Sequence, residues 1–228
     1  MKEYEIYSSF KVPMCSKTIL RLDGRSFHSL SSSLNFEKPY DENFSKSMVD
    51  ACIEFFKEFS PKFIFTFSDE INILFNKLPF SGRIEKVDSV FPSFISSSLT
   101  LNLNKTYNLN SAKPIAFDSR VITITDLEIF KYFKWRQDES WRNCVNSYGI
   151  WALKEKYGNK EAQDKINGLK LNEIHELLFD MGINLNNLPI WQKRGIAIYK
   201  NNLENLFVDT EIPKFTNEFF KNINIINV

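Results

Sequence analysis

Two stretches of the sequence place acidic residues where an apolar run gives way to a turn. RLDGRSFHSL carries Asp23 and Gly24 directly after a run of apolar residues, and FTFSDEINILF carries Asp69 and Glu70 between two β-rich runs. Turn chemistry explains either stretch alone, because Asp-Gly is a favoured turn pair and Ser-Asp-Glu is an ordinary hairpin tip. If both stretches meet at one edge of a sheet, their carboxylates repel one another unless a cation lies between them.

Magnesium is the cation that such a group of carboxylates favours. It takes oxygen ligands and keeps open positions for substrate phosphates, and paired ions clamp the attacking and leaving oxygens of a phosphoryl transfer. Because side chains alternate along an extended chain, Asp69 and Glu70 are predicted to point in opposite directions, one as a ligand and the other in support. The pattern therefore predicts metal-dependent phosphoryl transfer of the kind that palm-type polymerases and nucleotide cyclases carry out.

The elements that must position these acids begin with a strand from Thr18 to Leu22. A helix follows, with Asp41 as its N-cap because a carboxylate there can accept the free amide protons of the first turn. Two β-rich runs, Phe63–Phe67 and Ile71–Phe75, then predict a hairpin with an acidic tip. The helix is indicated by an apolar stripe at steps of three and four residues, formed by Phe44, Met48, Ala51, Cys52, Phe55, Phe56 and Phe59.

A second helix is predicted from Ile84 to about Leu103, with Pro92 either kinking it or marking its beginning. A strand from Pro114 to Ile124 closes the unit. This order predicts an α+β fold, a ferredoxin-like polymerase palm of βαββαβ order with an antiparallel sheet and helices on one face. We expect a palm-like catalytic domain in residues 1–125 and a mainly helical extension, packed on it as a single compact unit, in residues 126–228.

Composition narrows the class of protein further. The chain has 228 residues, 43% of them hydrophobic, which is enough for a substantial core. The charges of the 29 basic and 28 acidic residues nearly cancel, so the chain as a whole does not attract polyanions, and such a partner must bind a local basic patch. The three cysteines, Cys15, Cys52 and Cys144, are far apart, which excludes a Cys-x-x-Cys zinc site and suits a reducing compartment. We see no targeting signal and no apolar run of the ~20 residues that a membrane span needs, and expect a cytoplasmic protein.

Several of these stretches together resemble one known family. RLDGRSFHSL, NFEKPYDENF, FTFSDEINILF, FDSR and KWRQDESWRN resemble, in this order, motifs of the tRNA-histidine guanylyltransferase family. Its members are 3′-to-5′ RNA polymerases that extend a tRNA at its 5′ end and have a polymerase-like palm. The resemblance runs from about residue 18 to residue 200, and its DGRSFH and SDE blocks are the most specific part.

The resemblance implies roles for individual residues. Asp23 and Asp69 correspond to carboxylates that bind two magnesium ions, together with the carbonyl of Gly24, and Glu70 stands beside them in support. Lys38 corresponds to a lysine that helps to activate the tRNA 5′ end, although an ordinary loop lysine is an alternative reading. The nucleotide site would consist of Asp23, Gly24, Arg25, Ser26, Phe27, His28, Ser68 and Asp69.

Further residues match family positions that meet RNA or phosphates. These are Arg83, Lys86, Arg136, Asn143, Lys193 and Arg194. For each member of the two pairs Arg83 with Lys86 and Lys193 with Arg194, a solvated surface position is the simpler interpretation. Structural pairing likewise explains Asp118 and Arg120 of FDSR about as well as function does.

The reaction implied by the resemblance has two stages. ATP first activates a tRNA 5′-monophosphate, and the 3′-hydroxyl of an incoming nucleotide, usually GTP, then attacks the activated end. Where eukaryotic enzymes of the family have a histidine and an asparagine-tyrosine motif, this chain has WRNC at residues 141–144, which is closer to the archaeal and bacterial guanylyltransferase-like proteins. The departure favours template-dependent repair of tRNA 5′ ends over the alternative, addition of one G at position −1 of tRNA-His.

Two other functions use the same predicted fold. A palm-type nucleotide cyclase would act with the same carboxylates on a free nucleotide. A non-catalytic RNA-binding module would stack bases on Phe63, Phe65 and Phe67, although alternating phenylalanines in a central strand are more often core residues. The family resemblance implies tRNA and nucleoside triphosphates as partners and a homo-oligomer, commonly a tetramer.

Overall fold

The structure is a computed structural model that describes residues 1–14, 16–108 and 113–226, so Cys15 lies outside the described residues. Strands and helices both contribute, which confirms the predicted α+β class. The strands are β1 (Lys17–Gly24), β2 (Phe63–Phe67), β3 (Glu70–Phe75), β4 (Phe117–Ile124), β5 (Ile196–Lys200) and β6 (Leu206–Asp209). The α-helices are α1 (Phe27–Ser33), α2 (Glu42–Phe59), α3 (Ile84–Thr106), α4 (Asp126–Tyr157), α5 (Asn159–Ile166), α6 (Leu171–Asp180), α7 (Ile190–Arg194) and α8 (Asn217–Asn222).

The strands form a six-stranded sheet in the order β4-β1-β3-β2-β5-β6, and every neighbouring pair is antiparallel. Its first four strands have the order of the predicted palm, in which β1 and β3 occupy the middle. The two later strands, β5 and β6, extend the sheet on the side of β2. The central position of β1 and β3 brings the end of β1 next to the hairpin between β2 and β3.

Helices cover both faces of this sheet. On one face, α2 and α3 pack against residues such as Leu20, Ile64 and Ile73 in one hydrophobic cluster. On the other face, α4 and the segment around α8 pack against a second cluster that contains Phe63 and Phe65. The prediction of helices on one face therefore holds for the palm helices α2 and α3. The long helix α4, which follows the palm, covers the opposite face.

This second cluster removes one of the competing functions. Phe63 and Phe65 are fully buried and Phe67 is 7% exposed, because α4 and the C-terminal segment cover them. A base cannot stack on the rings of Phe63 and Phe65, which have no solvent-facing surface. The RNA-binding module that uses these three phenylalanines as its platform is therefore wrong for this chain.

The elements differ from prediction at three points. Helix α3 begins at Ile84 and continues through Pro92, so the proline does not mark its start. Pro92 cannot donate a hydrogen bond to the Asp88 carbonyl four residues earlier, and the Ser119 hydroxyl of β4 lies 3.5 Å from that oxygen. Strand β4 begins at Phe117 rather than at Pro114.

The third difference concerns the segment QKRGIAIYK, whose sequence predicts a late strand or hairpin edge that carries Lys193 and Arg194. Both residues lie instead on the short helix α7, which precedes β5. None of the helices described combines the length and the apolar character that crossing a bilayer requires.

Candidate active site

The end of β1 and the start of β3 bring the predicted acids to one edge of the sheet. Asp23 pairs with Glu70 of β3 on one side and with Asp118 of β4 on the other. The amide of Gly24 donates a hydrogen bond to the Asp69 carbonyl at 3.1 Å, which attaches the strand end to the hairpin tip. Two stretches that are more than forty residues apart in the chain therefore meet at the point where the sequence pattern placed a metal.

The two adjacent acids of the hairpin diverge, as alternation along the strand predicts. Glu70 is 9% exposed and lies toward α4, where its carboxylate receives hydrogen bonds from Arg136 at 2.8 and 2.6 Å. The Asn72 amide also donates to Glu70 at 2.8 Å, and the Tyr132 hydroxyl donates to Asn72 at 2.7 Å. Glu70 is thus held in a buried network, which is the supporting position rather than that of an open ligand.

Asp69 instead lines a cavity. Burial raises the pKa of its carboxyl to about 6, and the nearby charges of Asp23 and Glu70 act in the same direction. The Ser68 hydroxyl, which donates to Asp69 at 3.1 Å, acts against that rise. A carboxylate that is desolvated and surrounded by like charges gains most when a cation binds beside it.

The oxygen donors near this edge are of the type that magnesium prefers. Asp23 is close enough for its charge to act on Asp69, and both carboxylates, like the backbone oxygen of Gly24, are hard oxygen ligands. Within residues 1–14, 16–108 and 113–226, no group of three or more His, Cys, Asp or Glu side chains is arranged to hold a metal. Magnesium commonly binds through one or two carboxylates and completes its shell with waters and substrate phosphates, so a third acidic side chain is not required.

The cavity beside Asp69 has a volume of about 370 Å³ and unites segments that are distant in sequence. Helix α1, the loop before α2, the hairpin tip, α4 and α7 all contribute to its wall. Predicted site residues in the wall are Phe27, His28, Lys38, Ser68, Asp69 and Asn143. Asp23 and Gly24 do not belong to this wall and lie at the strand end next to it.

Two of the backbone amides that follow Asp23 are already used within the fold. The Gly24 amide donates to Asp69, and the Arg25 amide donates to the Ala116 carbonyl at 2.9 Å. Ser26 has a left-handed φ of 61° and precedes α1, so the amides of its first turn, including those of Phe27 and His28, have no acceptor within the helix. The donors that remain for phosphate oxygens are those at the start of α1.

Gly24 is needed for the close approach of two elements. A Cβ atom at this position would lie 2.4 Å from a ring carbon of Phe27 and 2.9 Å from the Asp69 Cβ. The first of these contacts involves a buried ring and the second the candidate ligand itself, so any added side chain displaces one of them.

We therefore expect Gly24→Ala to lower the free energy of unfolding by about 1–3 kcal/mol, the usual effect of overpacking. Nucleotide addition should fall more steeply than stability, because the shift moves Asp69. Urea denaturation and a nucleotide-addition assay measure the two effects. Ser29→Ala, at an exposed position of α1, is the control and should change neither stability nor activity; Gly168→Ala is unsuitable because Gly168 has a positive φ of 84°. A Gly24→Ala protein with wild-type stability and activity would contradict the predicted crowding at Gly24.

Lys38 lines the cavity and is held in place by its surroundings. Its ammonium donates to the Ser31 hydroxyl at 2.6 Å and lies 5.6 Å from the centre of the Trp151 ring. Partial burial lowers the pKa of Lys38, the charge of Lys154 acts in the same direction, and Asp41 opposes both.

The remaining basic residues lie away from the cavity wall. Arg83 precedes α3 and Lys86 is an exposed residue of its first turns, and neither lines the cavity. Lys193 is 9% exposed and donates to the Asn186 carbonyl at 2.8 Å, while Arg194 donates to the Ile212 carbonyl at 3.2 Å. These contacts within the fold give Lys193 and Arg194 a structural role. Arg136 has a similar role, because it binds Glu70.

Sequence patterns did not identify several residues of the cavity wall. These residues are Tyr40, Ser147, Trp151, Trp191 and Gln192. The position of Tyr40, two residues after Lys38 in EKPY, is the one local signal that could have placed it at the cavity. The other four residues lie on α4 and α7, and their approach to the palm depends on long-range packing. Aromatic rings dominate this side of the cavity, since Tyr40 contacts the rings of Tyr148 and Trp191.

Comparisons with known proteins match most of the chain. A family model described as tRNAHis guanylyltransferase matches residues 1–125, and another described as the Thg1 C terminal domain matches residues 127–221. A probable tRNA(His) guanylyltransferase of Dictyostelium discoideum is 31% identical over 225 residues, covering 93% of this chain and 88% of the relative.

Solved structures show the same fold. A bacterial tRNA(His) guanylyltransferase-like protein in complex with ATP has a TM-score of 0.85 at 26% identity, covering 100% of this chain and 98% of the other. A bacterial protein with the same description in complex with GTP has a TM-score of 0.75 at 25% identity, covering 100% and 97%. Both nucleotides that the sequence resemblance implies are therefore ligands of structural neighbours.

Proposed function

This chain belongs to the tRNA(His) guanylyltransferase family and is a nucleotidyltransferase, and we propose that it adds nucleotides to the 5′ end of tRNA in the 3′-to-5′ direction. The proposal includes magnesium ions as cofactor, ATP and GTP as substrates, and GTP as the preferred nucleotide for addition. Within this activity, we propose template-dependent repair of tRNA 5′ ends as the main reaction.

One observation carries the proposal. A single cavity of about 370 Å³ brings together the hairpin tip with Asp69, the start of α1 and the loop that carries Lys38. These are the three parts that the reaction needs: a carboxylate for a metal, donors for a triphosphate and a cation for the RNA 5′ end. Phosphoryl transfer depends mainly on positioning and charge neutralisation, so no protein nucleophile is needed.

The residues divide the work of the two stages. Asp23 and Asp69, with the Gly24 carbonyl, would hold the ions, which when bound neutralise phosphate charge during the transfer. In the first stage, a 5′-phosphate oxygen of the RNA attacks the α-phosphorus of ATP and pyrophosphate leaves, while Lys38 stabilises the negative charge. In the second stage, the 3′-hydroxyl of the incoming nucleotide attacks the 5′-phosphorus of the RNA, loses its proton and displaces AMP.

Repair is preferred over single G addition because of residues 141–144, which read WRNC. The bacterial guanylyltransferase-like protein with the TM-score of 0.85 supports the same reading. The Dictyostelium relative, named a probable tRNA(His) guanylyltransferase, supports the second candidate, addition of one G at position −1 of tRNA-His.

Transcripts of tRNA-His and of 5′-truncated tRNAs, each offered with all four nucleotides, separate these two reactions. We expect the truncated transcripts to be extended until the acceptor stem is complete, and the added nucleotide to change when the opposing base is changed. Chelation of magnesium with EDTA should stop the addition. Extension of tRNA-His alone, by one G, would establish the second candidate instead, and a cyclic nucleotide without RNA extension would establish a cyclase.

Two further proposals concern the assembly and the location of the protein. We propose a homo-oligomer, a tetramer by analogy with the family, which light scattering of the purified chain tests. We also propose a cytoplasmic location, which fractionation of cells tests.

A further inference from the structure

Trp151 is a cavity residue that the reaction described above does not use. It lies on α4 and faces the loop before α2, and its ring centre is 5.6 Å from the Lys38 ammonium. A cation within about 6 Å of an indole ring is attracted by the negative charge of the ring face. Ser31 of α1 accepts a hydrogen bond from the same ammonium at 2.6 Å. Contacts from two different helices therefore hold the Lys38 ammonium at the cavity wall.

Such support matters because a lysine side chain is otherwise mobile. Its four-carbon stem and compact ammonium group have several rotamers in water, and ordering a long charged side chain costs conformational entropy. A contact made before the substrate binds reduces the entropy that must be lost when the phosphates arrive. Trp151 is suited to this task, since indole is the strongest of the aromatic partners for a cation.

The Trp151 ring also has a second cation beside it, whose effect on Lys38 the charge of Asp41 opposes. The Lys154 ammonium lies 4.6 Å from the ring centre, and its charge contributes to the lowered pKa of Lys38. Two ammonium groups that lie close to one ring repel each other. A phosphate that enters the cavity beside Lys38 would relieve this repulsion.

We propose that Trp151 is a positioning residue that holds the Lys38 ammonium ready for the activation of the RNA 5′ end. The inference rests on the proposed function and assigns Trp151 to its first stage. In that stage the RNA 5′-phosphate oxygen forms a bond to the α-phosphorus of ATP, the bond from that phosphorus to the bridging oxygen breaks, and pyrophosphate leaves. Lys38 stabilises the charge without gaining or losing a proton.

Two RNA ends separate the activation stage from the addition stage. An RNA with a 5′-monophosphate needs activation by ATP, whereas an RNA with a 5′-triphosphate already carries pyrophosphate as its leaving group. The ratio of the addition rates on the two ends therefore measures activation and cancels losses that affect the whole enzyme. Four variants are compared with the wild type by this ratio: Trp151→Leu, Trp151→Phe, Lys38→Met and the double variant Lys38→Met/Trp151→Leu.

We expect Trp151→Leu to shift the ratio about tenfold against the monophosphate end, the scale of a partly desolvated cation–π contact. Trp151→Phe keeps an aromatic face and should recover part of the loss. In the Lys38→Met protein, a further Trp151→Leu change should leave the ratio where Lys38→Met alone puts it, because the cation that the ring holds is gone. Lys154→Met is the matched control, since it removes the other cation from the same ring and leaves Lys38 and Ser31 in place; its shift should be smaller than that of Trp151→Leu.

Three results would overturn the inference. Trp151→Leu could lower addition equally on both ends, which indicates a general structural role. It could shift the ratio as strongly in the Lys38→Met background, which means that it acts without Lys38. It could also leave the ratio at the wild-type value. Failure of the proposed function itself appears differently, because the wild type would then extend neither RNA end.

Discussion

Replacing Asp69 with asparagine is expected to lower nucleotide addition on the order of 10³-fold, with Asp23→Asn close behind. Neutralisation of phosphate charge by a bound metal contributes several kcal/mol to phosphoryl transfer, and about 1.4 kcal/mol is worth a factor of ten in rate. Asparagine keeps the size of the side chain and removes the charge that would attract the ion. Initial rates on a 5′-triphosphate RNA measure the loss directly, because that end needs no activation.

The same change should leave the fold intact. Burial and the neighbouring acids already disfavour the charged form of Asp69 in the absence of a metal, so a neutral side chain relieves a conflict rather than creating one. We expect the thermal midpoint of Asp69→Asn without divalent ions to equal or exceed that of the wild type. Added magnesium should raise the midpoint of the wild type and not of the variant, since a ligand stabilises only the protein that binds it.

A matched control is Asp164→Asn, which changes an exposed aspartate of α5. It should alter neither the rate nor the response to magnesium. If Asp69→Asn retained most of its activity, or if magnesium stabilised it as it does the wild type, the metal assignment at the hairpin tip would be wrong.

Local patterns in the sequence were sufficient to predict two local features around this site. Asp69, in the turn before β3, and Glu70, the first residue of β3, have different surroundings, as the alternation of side chains along an extended chain predicts. Asp41 accepts a hydrogen bond from the Phe44 amide at 2.8 Å and begins α2 as its N-cap, as predicted. Both features depend on residues within a few positions of one another, where chain geometry leaves few alternatives.

What the sequence could not show depends on contacts between distant residues. Arg136 matched a family position that meets RNA or phosphates, yet it is 7% exposed and its guanidinium is bound by Glu70, 66 residues earlier. The apolar pattern of α4 does not specify which face of the sheet the helix covers. The part of the cavity wall formed by Tyr40 and Trp191 could not be predicted either, because the two rings come from distant segments that only tertiary packing brings together.

The second large effect concerns stability and follows from the contact between Arg136 and Glu70. We expect Arg136→Met to lower the free energy of unfolding by about 3–5 kcal/mol, because removing one partner leaves a buried carboxylate without its counter-charge. The side chains of the pair are 8% and 11% exposed, so water cannot replace the lost guanidinium. Two ring contacts are lost with it, since the guanidinium lies 4.4 Å from the centre of Trp135 and 5.7 Å from that of Phe67.

The double variant Glu70→Gln/Arg136→Met distinguishes the lost charge pair from lost packing. Glutamine still accepts a hydrogen bond from Asn72 and carries no charge, so the double variant should recover more than half of the loss, as urea denaturation can measure. Arg142→Met removes an exposed arginine of the same helix, whose contact with Glu139 is 3.5 Å long, and should change stability by less than about 0.5 kcal/mol. An Arg136→Met protein within about 1 kcal/mol of the wild type would mean that relaxation or water compensates Glu70, and the network would then not be what fixes the hairpin tip against α4.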